Sequence, residues 1–142
     1  MSYAGDISCR DCWEALKSDA TAQLVDVRTH AEWSLVGFPV LEELGKSAIM
    51  VEWQQYPAMD INTGFIAAVS DAIKSSGVSQ DAHIFTLCRS GVRSIAAAEA
   101  LTSAGFGKVY NVRGGFEGNM NAEGHRSTVS GWKHDQLPWR QN

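Results

Sequence analysis

Apolar residues follow two kinds of spacing along this chain, short continuous runs and recurrences at three and four, and the two kinds alternate. Ser8 precedes the stretch Cys9 to Lys17, in which Cys12, Trp13 and Leu16 fall at helical spacing and Asp11 sits in the first turn, predicting a short capped helix. Gln23-Leu24-Val25-Asp26-Val27-Arg28 is β-rich and nearly continuous in its apolar part, as a strand covered on both faces would be, with its charged end at the C-terminal edge. Gly37, Pro39 and Gly45 break any period over residues 29 to 46, which reads as a long loop before a second buried strand at Ala48-Ile49-Met50-Val51. Phe65, Ile66, Val69 and Ile73 predict a helix over Asn62 to Ser75, ending near Gly77.

The strand His83-Ile84-Phe85-Thr86-Leu87 runs into Cys88, and an alanine-rich helix, Val92 to Ser103, opens soon after. Lys108 to Val112 reads as another strand. Gly114-Gly115 marks a turn, and Trp132 to Trp139 reads as a last short helix stopped before Pro138. Strands alternating with helices imply right-handed crossovers, hence an α/β fold: an open parallel sheet with helices on both faces. In such sheets the ligand site lies beyond the C-terminal ends of the strands, where Asp26-Val27-Arg28 and Cys88 both fall. With no internal repeat or linker-like stretch, residues 1–142 are expected to form one domain.

Composition narrows the function classes. Charged residues are 20% and hydrophobic ones 44% of the chain, an ordinary globular balance. A net charge of -4 argues against nonspecific nucleic-acid binding, which needs an excess of Lys and Arg. Three cysteines make no disulfide framework and suit a reducing compartment, so a cytoplasmic location is expected. The N-terminus carries no signal-peptide pattern, and no apolar run approaches the roughly 20 residues that span a bilayer.

The chemistry concentrates in Cys88-Arg89-Ser90-Gly91-Val92-Arg93. Between a buried strand and a helix, consecutive backbone N–H groups can turn inward around the sulfur as a nest. The helix dipole and the charges of Arg89 and Arg93 are expected to favour the thiolate, and Gly91 gives the backbone the freedom a tight cradle demands. A free cysteine is most often a small apolar residue closing a strand. Two arginines, a serine and a glycine within five residues, at the place where an open sheet carries its site, argue for the nucleophile instead.

These pieces resemble a single-domain rhodanese, the thiosulfate and persulfide sulfurtransferase family. The matching stretches are Leu24-Val25-Asp26-Val27-Arg28 with Glu32-Trp33, the loop Cys88 to Ser94, Val109-Tyr110-Asn111-Val112-Arg113-Gly114-Gly115-Phe116, and Gly131-Trp132-Lys133 with Leu137-Pro138-Trp139. The resemblance covers nearly the whole chain. It implies that Cys88 takes sulfane sulfur from a small anionic donor as a persulfide and passes it to a thiol or cyanide, with no metal or organic cofactor. It also implies that Asp26 and Arg28 form a strand-end pair ordering the neighbourhood. The family's glycine-histidine-isoleucine-proline-glycine run is replaced here by Val36-Gly37-Phe38-Pro39-Val40.

Two other readings stay open. Cysteine phosphatases and arsenate reductases of this architecture use a loop one residue longer; here four residues separate Cys88 from Arg93, and Ser94 stands at the phosphatase arginine position. A non-catalytic binding or relay module of the same fold is the second. Cys9 and Cys12 have Cys-x-x-Cys spacing but no second pair or nearby histidine to complete a zinc site, so Cys12 is expected in the core and Cys9 near the helix cap. Residues 118 to 130 read as a polar, solvated insertion, and Trp33, Trp53, Trp132 and Trp139 as core or pocket walls.

Overall fold

The computed structural model describes residues 2–55 and 58–141. In chain order its elements are β1 (Gly5–Ile7), α1 (Cys9–Ser18), β2 (Gln23–Asp26), α2 (His30–Val36), β3 (Phe38–Pro39), a 3₁₀ turn (Glu42–Leu44), β4 (Ile49–Met50), β5 (Gln54–Gln55), β6 (Asp60–Ile61), α3 (Phe65–Ser75), β7 (Ile84–Leu87), α4 (Arg93–Ser103), β8 (Val109–Val112) and β9 (Trp139–Arg140). The central sheet has five strands in the order β1-β8-β7-β2-β4, all parallel.

Burial on both faces explains why β2 and β7 carry adjacent apolar residues, Leu24-Val25 and Ile84-Phe85, without alternation: every residue of each is buried. Successive side chains leave a strand on opposite sides. Val25, Ile84 and Val109 therefore pack with Phe65, Val69 and Ile73 of α3 and Ala97, Ala98 and Leu101 of α4. Leu24, Phe85, Leu87 and Val112 meet Cys9, Cys12 and Leu16 of α1, with Phe116, Trp132 and Leu137. The open parallel sheet with helices on both faces is the expected one.

The topology also locates the site. The chain leaves β2 toward β4 on one side and leaves β7 toward β8 on the other, so the connections part between these two hydrogen-bonded neighbours. A crevice opens at the C-terminal ends of strands at such a switch point.

Several sequence expectations need correction. Residues 29–46 are not one long loop: Thr29 caps α2 by accepting the Glu32 N–H, and the Glu32 carboxylate accepts the Thr29 N–H in return. Residues 132–139 do not form a helix. One turn follows Trp132, left-handed Gln136 ends it, and the chain then extends so that β9 pairs antiparallel with β3. The Trp132 indole N–H donates to the Pro138 carbonyl at 2.7 Å and closes that turn. The strand expected over 48–51 is shorter, at Ile49–Met50. β1 and the small β5–β6 hairpin carry too few apolar residues to announce themselves. Among the described residues no helix is long and apolar enough to cross a membrane.

Candidate active site

Cys88 stands immediately after β7, and its side chain is 1% exposed. Two polar groups lie against its sulfur: the Gly91 N–H donates to Sγ at 3.2 Å, and Ser94 Oγ is also 3.2 Å away. Gly91 has φ +94, and a Cβ there would come within 3.1 Å of the Gly114 nitrogen, so the loop's sharp turn needs a residue without a side chain. The outer edge of the loop is pinned from a distant segment. The Phe116 N–H donates to the Cys88 carbonyl at 2.8 Å, and the N–H groups of Glu117 and Gly118 donate to the Arg89 carbonyl at 2.9 and 3.1 Å. With its carbonyls held outward, the loop can turn amides inward.

The remaining loop residues divide by exposure. Arg89 and Val92 are exposed, Ser90 and Arg93 are half-buried, and Ser94 is buried. Arg93, the first residue of α4, reaches to α2 and forms a two-pronged ion pair with Glu32, 2.7 and 2.9 Å long. Burial pushes the Glu32 carboxyl up, but the hydrogen bond and charge of Arg93, with the Thr29 N–H and Arg28 adding to them, bring it below its ordinary value. The hydrogen bond that Arg93 donates to Glu32 holds Arg93 above its own. Arg93 therefore brings its charge to the site already partnered, whereas Arg89, exposed, has no ion-pair partner among the described residues.

A cavity of about 380 Å³ lies over the loop, lined by Glu32, Val36, Met59, Arg89, Arg93 and Glu117. It shares Glu32, Val36 and Met59 with a smaller apolar cleft of about 200 Å³ that adds Thr29, Ala31 and Leu35. Cys88 itself is 1% exposed and does not line this cavity, although its neighbour Arg89 does.

Asp26 and Arg28 are both 0% exposed at the end of β2. Arg28 Nη2 meets Asp26 Oδ2 at 2.7 Å and donates to the Gly37 carbonyl at 2.8 Å, and its guanidinium lies 4.2 Å from the Phe116 ring centre. The pair joins the end of β2 to the end of α2 and to the segment that pins the loop. Neither residue lines the cavity beside Arg89 and Arg93.

Sequence reasoning did not assign roles to two residues at this site. Glu32 had a signal, because Thr29 followed by glutamate three positions later is a capping box. Asn111 had a weaker one, a polar residue within an apolar strand; it is 2% exposed and in hydrogen-bond contact with Ser94. Cys9 and Cys12 lie away from Cys88, on the opposite side of the sheet, as free thiols. Cys9 donates to the Gly115 carbonyl at 3.3 Å.

Comparisons with known proteins place the chain in a family. The profile of the family described as STR4 middle domain matches residues 4–142. The crystal structure of Rv0390 from M. tuberculosis superposes with a TM-score of 0.88 at 45% identity, covering 99% of this chain and all (100%) of that one. "Uncharacterized protein RC0915" of Rickettsia conorii is 38% identical over 135 residues, 95% of this chain and 96% of that protein. Rhodanese-like domain-containing protein 4, chloroplastic, of Arabidopsis thaliana is 28% identical over 132 residues, 93% of this chain but 25% of the plant protein. The chain thus belongs to the STR4 middle domain family and is a rhodanese-like domain.

Proposed function

We propose that this chain is a sulfurtransferase that carries sulfane sulfur as a persulfide on Cys88. The observation that carries the reading is the Gly91 amide set on the sulfur of Cys88, at the head of α4, in a loop with four residues between Cys88 and Arg93. A cradle one residue shorter than a phosphate requires favours sulfur over phosphoryl or arsenate chemistry.

In the proposed reaction the Cys88 thiolate attacks the outer sulfur of a donor, thiosulfate or an organic persulfide. The donor's sulfur–sulfur bond breaks, and its electron pair leaves with sulfite or with the donor's thiolate. Cys88 keeps the transferred sulfur as a persulfide anion. An acceptor thiolate or cyanide then attacks that outer sulfur and Cys88 leaves as thiolate, so two small barriers replace one large one. The Gly91 N–H and the N-terminus of α4 offer positive potential to the charge on sulfur, and the open charge of Arg89 faces the incoming anion. No step calls on a metal or organic cofactor.

Intact mass spectrometry after incubation with thiosulfate, and separately with a low-molecular-weight persulfide, tests the reading. One added sulfur that cyanide removes and that Cys88→Ser abolishes is the expected result. Hydrolysis of a phosphate ester without any sulfur adduct would replace the reading with the phosphatase one. Absence of both activities would leave a binding module.

A further inference from the structure

Ser94 has one hydroxyl hydrogen and two neighbours able to take it. Cys88 Sγ lies 3.2 Å from its oxygen, and Asn111 Oδ1 is closer still. The orientation of Asn111 is settled by its other contacts. Its Nδ2 lies 3.1 Å from Asp6 Oδ1 and 3.1 Å from the Gly91 carbonyl oxygen, both of which can only accept. The amide must turn its nitrogen toward them, which leaves its carbonyl oxygen facing Ser94. That oxygen cannot donate, so the Ser94 hydrogen goes to Asn111. What Ser94 then presents to the sulfur is a lone pair.

We propose that Asn111 is a positioning residue that restrains Cys88: by holding the Ser94 hydrogen it makes the resting thiol donate S–H to Ser94, and the thiolate forms only as Ser94 turns that hydrogen from Asn111 to the sulfur. The inference rests on Cys88 being the nucleophile. On ionisation the S–H bond breaks and its proton leaves to water. No covalent bond of Ser94 changes; its hydroxyl rotates, one hydrogen bond to Asn111 is lost and one to the thiolate is gained. The Asn111 carbonyl, buried with the rest of the residue, then lacks a donor.

Asn111 also holds the loop itself. Its second N–H fixes the Gly91 carbonyl, and the N–H of the same Gly91 is the one set on the sulfur. One amide side chain in β8 therefore governs both groups that touch Cys88. Among the described residues, the ionisable groups on the elements around the sulfur are Arg93 with its partner Glu32, Arg89 and Glu117 on one cavity, the buried Asp26–Arg28 pair, Arg113 beside Gly91 and, behind Asn111, Asp6, which also accepts from the Tyr3 hydroxyl at 3.0 Å. All of them remain in the variants below.

The test reads alkylation of Cys88 by iodoacetamide against pH in the full chain, with peptide mapping to assign the modified cysteine. Asn111→Leu keeps the size of the side chain and frees the Ser94 hydrogen. The midpoint of the profile is expected to move to lower pH, with alkylation below the midpoint about tenfold faster, the scale of one hydrogen bond to a charged group. Ser94→Ala should remove the downward shift, so that Asn111→Leu placed on Ser94→Ala no longer lowers the midpoint, while Ser94→Thr should restore the lowering. A midpoint in Asn111→Leu that stays or rises, or that falls equally without Ser94, overturns the proposal.

Asn111→Leu also removes the donor to Gly91 and can unfold the chain, so the wild type supplies a second measurement. The side-chain amide NMR signal of Asn111 should titrate with the same midpoint as Cys88 alkylation, and should lose that dependence in Ser94→Ala. A signal that stays fixed while Cys88 ionises overturns the proposal equally. Neither measurement uses a sulfur donor, so failure to load sulfur would count against the sulfurtransferase reading alone.

Discussion

Arg93 and Glu32 meet fork to fork, Nη1 to Oε1 at 2.7 Å and Nη2 to Oε2 at 2.9 Å, and so tie the first turn of the helix behind Cys88 to the first turn of α2. The geometry is the strong, bidentate kind. It also means that Arg93, at the head of α4, meets any anion with its charge already paired.

Replacement of Glu32 by glutamine separates these two effects. The variant keeps the shape but releases the charge of Arg93, so the apparent KM for an anionic donor should fall several-fold. Stability at neutral pH should fall by about 1–3 kcal/mol, the scale of a hydrogen bond to a charged group. Because the folded protein holds Glu32 below its ordinary value, this contribution is complete above the unfolded carboxyl's pKa and disappears as the pH falls through the folded one. Denaturant midpoints across a pH series should therefore diverge between wild type and Glu32→Gln at neutral pH and converge in acid.

Arg28→Met should be among the most destabilising single changes in the chain. It strands the Asp26 carboxylate, 0% exposed, without its counter-charge, a loss of about 3–5 kcal/mol. Adding Asp26→Leu should recover much of that, since a buried pair replaced by apolar side chains often breaks even. Urea unfolding of both variants provides the check, and a single variant losing under about 1 kcal/mol would contradict the uncompensated-charge argument.

A methyl group at Gly115 should disable the loop from behind. A Cβ there would lie 2.5 Å from the Cys88 carbonyl oxygen and 2.7 Å from the Arg89 carbonyl, at a backbone φ of +65. Gly115→Ala is expected to lower the rate of sulfur loading on Cys88 by tens of fold or more. Gly45→Ala is the matched control: its φ is +71, yet nothing lies within 4 Å. It should cost about 1 kcal/mol of stability and leave loading unchanged.

The Cys-x-x-Cys pair should prove dispensable for sulfur loading. Burial, with a contribution from the charge of Asp135, pushes the Cys9 thiol up to about 12, and burial together with Cys9 pushes Cys12 well above its ordinary value. Both stay protonated at neutral pH, the unreactive form. The double variant Cys9→Ala/Cys12→Ala is expected to load sulfur within about twofold of wild type while losing roughly 1 kcal/mol of stability per site. A larger loss of loading would give the pair a role in the reaction.

Where packing obeys a simple period, the fold was legible. β2 and β7 announce themselves because a strand buried on both faces carries adjacent apolar residues, Leu24-Val25 and Ile84-Phe85, and α1 and α3 because one stripe of each meets the core. The position of Cys88 followed from the same logic, since a nucleophile ending a central strand can only emerge at the sheet's C-terminal edge.

What stayed hidden depends on long-range partners. α2 buries no residue fully and shows no apolar stripe; it is held by its cap and by Arg93, 61 positions away. β9 has no strand signature of its own and exists because β3 lies beside it. The partnering of Arg93 and the grip of Asn111 on Ser94 could not be read from spacing, since each joins residues on different elements.

The backbone bonds from residues 116–118 to the carbonyls of Cys88 and Arg89 set an order of assembly. During synthesis the strand, the cysteine and the whole of α4 emerge before the chain that gives their turn its shape. Residues 116–118 follow 13 to 15 positions beyond the end of α4, so the turn around Cys88 acquires its shape only after both elements that flank it have left the ribosome.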